Sequence, residues 1–128
     1  MYTYAFLHRQ TSIADLPFGI VGSLQRVDTP SLSAVVETQV DLDLVQQSDD
    51  RLVQAVLAHD RVIQHLFSQT TVLPLRFGTC FVSHEALLEH LHFHDTDYLA
   101  KLNTLANKAE YVLKAIPLAP LPHLTQWN

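Results

Sequence analysis

Residues 2–8 alternate aromatic with smaller side chains: Tyr2, Tyr4 and Phe6 on one side, Thr3, Ala5 and Leu7 on the other. A period of two in such residues predicts a strand. Leu16-Pro17-Phe18-Gly19 breaks the pattern and reads as a turn or irregular loop. Two more strands are predicted over 23–28 and 31–37, with Thr29-Pro30 between them as a hairpin connection.

The pattern then becomes helical. Over residues 49–69, Leu52, Val56, Ile63 and Leu66 recur at helical spacing, with Val53, Leu57 and Phe67 widening the stripe. This stripe is expected to pack on the sheet. Ser48 is placed to cap the helix, and Asp49 and Asp50 suit its positive N-terminal end. A fourth strand is predicted over 71–79, Leu73, Leu75 and Phe77 facing one way and Val72, Pro74 and Arg76 the other. Pro74 marks it as an edge or the start of a strand. Ser83 caps a second predicted helix that runs to about residue 92. A third is expected over 95–107, a last strand over 108–116, and an extended proline-rich tail over 117–128. Strands and helices in this order predict an α+β fold close to a split βαβ, or ferredoxin-like, arrangement.

Composition narrows the function classes. The 128 residues fit one domain, and a hydrophobic fraction of 48% supports a core. Charged residues are 16%, against about 25% for an average soluble domain. The surface is thus short of charge, and part of it is expected to be hidden by a partner. A net charge of −5 and the lack of any Lys and Arg run argue against nucleic acid. The single Cys80 allows no intrachain disulfide. No signal peptide is evident, and no apolar run reaches the roughly 20 residues that span a bilayer. The protein is expected to be soluble and intracellular, without membrane association.

Histidines are the main candidates for chemistry. His90 and His94 share a helix face at the i,i+4 spacing used by some zinc sites, while His92 points away. Without a third ligand the pair reads as a solvated helix end. His59 and Asp60 are chain neighbours on a helix and do not face each other, so they form no preorganised dyad. His59 falls on the inward stripe and is expected to be partly buried and hydrogen-bonded to the sheet. Cys80 is expected to be a small buried residue. Arg76, if buried, needs an acidic or carbonyl partner, for which Glu110 is one candidate. No phosphate loop, nucleophile elbow or Cys-x-x-Cys is present.

Three segments carry a resemblance: Ala58-His59-Asp60-Arg61-Val62-Ile63, Thr71-Val72-Leu73-Pro74-Leu75-Arg76-Phe77-Gly78-Thr79 and Lys108-Ala109-Glu110-Tyr111. Together with Tyr2-Thr3-Tyr4-Ala5-Phe6 and Leu32-Ser33-Ala34-Val35-Val36, they resemble the gas vesicle accessory family GvpF/GvpL, GvpF being the nearer. The likeness covers residues 1 to about 116. It implies a modified ferredoxin-like domain over 1–116, a small mixed or antiparallel sheet covered by helices. It also implies that the family's helical C-terminal domain is absent, with 117–128 as a tail. His59, Leu73, Pro74, Leu75, Arg76, Phe77, Gly78 and Glu110 are its structural motif residues. The implied role is assembly of gas vesicles, gas-filled protein shells, in the cytoplasm. The implied partner is the main shell protein of GvpA type, with other accessory proteins, and no catalysis, cofactor or metal. The moderate acidity points away from a halophile and toward a freshwater bacterium such as a cyanobacterium. The competing reading is a small ferredoxin-like metal-binding or enzymatic domain using His90 and His94.

Overall fold

The computed structural model describes residues 1–115, with side chains through residue 107. Its elements are β1 (Tyr2–His8), β2 (Gln25–Asp28), β3 (Leu32–Glu37), α1 (Leu42–Val45), α2 (Asp49–Phe67), β4 (Leu73–Pro74), α3 (His84–Phe93) and α4 (Asp95–Ala115). The strands form one antiparallel sheet in the order β2-β3-β1-β4. This is an α+β fold of ferredoxin-like type, modified in that residues 9–24, between β1 and β2, hold no helix.

Local chemistry sets several of these elements as expected. The β2–β3 hairpin turns at Thr29-Pro30-Ser31, where Leu32 N–H donates to Thr29 Oγ1 at 2.9 Å and Thr29 N–H to the Leu32 carbonyl at 2.8 Å. Ser48 and Ser83 cap α2 and α3, their hydroxyls accepting from Arg51 N–H and Ala86 N–H. Short α1, capped by Asp41, is an element the periodicity does not reveal.

Both faces of the sheet are covered. One core joins Tyr2, Tyr4, Leu7 and Val35 to Val62 and Leu66 of α2. The other joins Phe6, Leu32 and Val36 to Leu87, Leu91 and Leu102 of α3 and α4. The expected alternation of β1 fails at Tyr4. Thr3 pairs with Val36 and Ala5 with Val35, so Tyr4 is an extra, bulged residue. The bulge puts Tyr2 and Tyr4 with Ala5 and Leu7 on the α2 face and leaves Phe6 on the other.

Three further expectations are corrected. The buried face of α2 is Ala55, Ala58, His59, Val62, Ile63 and Leu66. Val53, Val56, Leu57 and Phe67 are exposed, and Leu52 is only half-buried. Small alanines let the helix approach the sheet closely, and that closeness selects the face. The fourth strand shrinks to Leu73–Pro74, because Pro74 offers no ladder donor and a turn follows at once. Leu73 and Leu75 join the α3–α4 core while Phe77 joins the α2 core, so they do not share a face. Finally, residues 108–115 are helix, not strand. Lys108, Ala109, Glu110, Leu113, Lys114 and Ala115 are strong helix formers, and no breaker intervenes before Pro117. The expected tail over 117–128 lies outside the described residues.

Core position and exposed position on the same helix should differ sharply on truncation. Leu66→Ala is expected to cost about 2–5 kcal/mol. Val53→Ala is expected to stay within about 0.5 kcal/mol. Urea midpoints of the two variants check this, and equal losses would place the helix face wrongly.

Candidate functional site

The motif segment 73–79 meets β1 and α2 at one polar junction inside the core. Leu75 N–H donates to the Tyr4 carbonyl at 2.9 Å, and Thr3 N–H donates to the Thr79 carbonyl at 2.9 Å. Pairing with β1 is thus made on both sides of Arg76-Phe77-Gly78, which loops out. Thr79 N–H and Oγ1 both donate to the Arg76 carbonyl, closing a turn with Gly78 at φ 89°. That left-handed backbone is one that glycine adopts without a Cβ clash.

His59 of α2 reaches into this loop. Its Nε2 lies 2.9 Å from the Leu75 carbonyl and its Nδ1 2.7 Å from Tyr2 Oη. A carbonyl only accepts, so Nε2 carries the proton and Nδ1 accepts from the Tyr2 hydroxyl. Tyr2 Oη in turn accepts from Gly78 N–H at 3.2 Å. The ring is stacked on Tyr4, centroids 5.1 Å apart, with Phe77 against its edge. Every polar group is satisfied with His59 neutral. Burial lowers the His59 pKa, opposed by its bond to Leu75, and burial pushes the Tyr2 phenol up to about 12. Both ring nitrogens are engaged in holding segments together, so neither is free to exchange a proton with a substrate.

A second buried polar centre, not singled out by the sequence reading, sits on the same face of the sheet. Glu37, 2% exposed, takes the Tyr4 hydroxyl at 2.5 Å and Ile20 N–H at 2.8 Å on Oε1, and Val21 and Gly22 N–H at 2.7 and 2.6 Å on Oε2. Burial, then the bond to the Glu37 carboxylate, raises the Tyr4 pKa strongly. Residues 19–22 close on themselves by Gly19 N–H to the Gly22 carbonyl. A Cβ on Gly19 would run into Glu37 Oε1, so only glycine fits here. The signal was an acid ending an otherwise apolar strand, with a glycine-bearing loop elsewhere to receive it.

Between the C-terminal half of α2 and residues 74–77 lies an open groove of about 640 Å³. Ile63, Leu75, Phe77 and Phe67 give it apolar walls, with Asp60, Gln64 and Arg76 as polar groups. Arg76 is exposed, and among the described residues no carboxylate pairs with it. Glu110 lies in α4, its side chain outside the described set.

The histidine pair has a different setting from the solvated helix end expected. His90 is half-buried among Phe6, Phe81 and Tyr98, its Nε2 2.7 Å from Tyr98 Oη. The His90 and His94 rings are 4.5 Å apart, as i,i+4 spacing requires. Burial, then the charge of His94, lowers the His90 pKa. Among the described residues no three His, Cys, Asp or Glu side chains converge on a common point. Cys80, expected inside, is exposed; it pairs with Tyr2 at the margin of the sheet, where its side chain lies outside the core.

The His59 junction makes stability acid-sensitive. With a lowered folded pKa, the folded protein holds fewer protons at His59 than the unfolded chain below about pH 6.5. Its contribution is whole above that pH and is lost as pH falls through it. Urea midpoints between pH 7.5 and 5 should therefore fall more steeply in wild type than in His59→Gln; parallel curves would remove His59 as the cause. Glu37→Gln turns an amide N–H₂ toward backbone donors and should cost about 1–3 kcal/mol, read from the urea midpoint at pH 7.5.

The matching family model is described as gas vesicle synthesis protein GvpL/GvpF and covers residues 1–123. It does not separate GvpF from GvpL. No curated protein and no solved structure matches the chain. With nearly its whole length matched, and with the Leu-Pro-Leu-Arg-Phe-Gly segment closed around His59, the chain belongs to the gas vesicle synthesis protein GvpL/GvpF family.

Proposed function

We propose that this domain serves gas vesicle synthesis by binding the main shell subunit, of GvpA type, through apolar contact and without catalysis. Family membership supplies the gas vesicle role. The observation that supports the mode is the outward face of α2, where Val53, Val56 and Leu57 are 54%, 42% and 56% exposed. The helix already buries six residues against the sheet, so these three are not needed for its docking. On the other flank, exposed Val21 and Leu44 line a groove of about 510 Å³. An apolar surface of this kind is the mark of a protein partner. A shell subunit must present a strongly apolar face to exclude water from a gas space, and that face needs cover before assembly. Among the described residues no helix is long and apolar enough to cross a membrane. The family's role places the partner among gas vesicle proteins, other accessory proteins included.

Apolar binding has a distinct salt signature, because screening weakens charge pairs and not hydrophobic contact. Co-purification with the shell subunit is expected at both low and high salt, and is expected to fail for Val53→Glu/Leu57→Glu with unchanged circular dichroism. Binding that vanishes at high salt would refute the apolar mode. No binding at any salt, with folded protein, would sink the partner assignment for this domain.

A further inference from the structure

We infer that the groove bounded by α1, α2 and residues 19–21 receives an apolar helix of a protein partner, and that Arg51 and Arg61 select a helix with two carboxylates about three turns apart beside its apolar stripe. The inference rests on the reading that this flank meets a protein partner, and adds what that partner must carry.

Charge pairing singles out these two arginines. Among the residues with described side chains, Arg9 and Arg26 meet Asp28, and Lys101 meets Asp97. Arg51, Arg61 and Arg76 meet no carboxylate, and they stand on α2 or on the segment against it. Arg51 and Arg61 line the groove of about 510 Å³, and both are exposed. A guanidinium without an ion pair offers its fork of donors to an incoming carboxylate. Asp50 lines the groove as well, but it stands in the first turn of α2, where the helix dipole already favours its charge.

The form of the groove decides the class of occupant. Its floor is the buried Val45, Ala55 and Ala58, and Val21 and Leu44 stand exposed at the rim. The loop wall has no backbone donor to spare: Glu37 holds Ile20 and Val21 N–H, and the Gly22 carbonyl holds Gly19 N–H. Along α2 the backbone donors past the first turn are used within the helix. An occupant that needs main-chain pairing is thereby excluded. A helix satisfies its own backbone and docks by side chains alone. Small alanines at 55 and 58 let it come close. The Glu37 bonds fix the loop wall before a partner arrives, which lowers the cost of ordering on binding. Arg51 and Arg61 lie about 15 Å apart along the axis of α2, at the helical rise of 1.5 Å per residue. On a helix lying alongside, carboxylates about eleven residues apart share one face and match that span. Apolar contact then supplies the affinity, and the rim arginines supply the choice of partner and its register.

The test titrates the full chain with two synthetic helical peptides of about 20 residues. Both carry the same stripe of leucine and alanine. One has Glu at two positions about eleven residues apart beside the stripe, and the other has Lys there. Calorimetry at low salt is expected to show the Glu peptide bound roughly tenfold more tightly. A chain of net charge −5 otherwise favours the Lys peptide, so this order is not a general effect of charge. Arg51→Gln/Arg61→Gln should abolish the preference and Arg51→Glu/Arg61→Glu reverse it, while Arg76→Glu, outside the groove, keeps it. Both groove arginines are exposed, so circular dichroism is expected to be unchanged. Since the probes are not the shell subunit, these outcomes are read separately from co-purification with it. Equal affinity of the wild type for both peptides overturns the inference, as does binding of neither, or a preference that survives the double substitutions.

Discussion

A neutral imidazole held between a phenol and a carbonyl ties three remote segments of this domain together. His59 belongs to α2, Tyr2 to β1 and the Leu75 carbonyl to the motif segment; neither the imidazole nor the phenol could be replaced by an apolar side chain of like size. Buried polar groups are costly unless every donor and acceptor finds a partner. Here they do: Gly78 N–H fills the remaining acceptor site on Tyr2. The loop of Arg76-Phe77-Gly78 is thereby held out of the sheet, and the groove beside α2 exists because of that excursion. The Glu37 cradle repeats the principle on the same sheet face. There a carboxylate organises the otherwise irregular residues 19–22, which have no regular structure of their own.

What was legible in the sequence was local. Ser48 and Ser83 announced helix starts because a hydroxyl caps free N–H groups wherever it stands. Thr29-Pro30 announced a hairpin for similar reasons. His59 was read correctly as an inward residue bonded to the sheet, since it lies between Ala55 and Val62 on one face. Misread features depend on how elements meet. Large aliphatic residues at Leu52 and Val56 outweighed Ala55 and Ala58 in the periodicity, yet close packing favours the small pair. The bulge at Tyr4 left no mark in the alternation of β1. Over 108–115 the helix formers Lys108, Ala109, Glu110, Leu113, Lys114 and Ala115 outweigh the strand-favouring Tyr111 and Val112, and α4 runs on through them.

His90 shows the same division. Its spacing from His94 was right, and the two rings do meet. Its surroundings were not deducible, because Phe6 comes from β1, far away in the chain, and Phe81 from the segment before α3, whose path no helix periodicity gives. A spacing argument fixes which side chains share a helix face, and only tertiary packing decides whether that face sees water or aromatic rings.

A ferredoxin-like sheet covered on one side would leave its open face for binding, but this one is covered on both. Its edges are unsuited to pairing as well. The β4 edge is two residues long and carries Pro74. The β2 edge presents Gln25 and Asp28 outward, with Arg26 bonded to the Thr11 and Arg9 carbonyls. Among the described residues the exposed large apolar side chains lie off the sheet, on α1, α2 and α3 and on the loops that carry Phe18, Val21 and Val82. On α2 the exposed Val53, Val56 and Leu57 stand among charged and amide side chains such as Arg51, Gln54, Asp60 and Arg61. With charged residues at 16% of the chain, close packing and the exclusion of water carry more weight on this surface than long-range attraction.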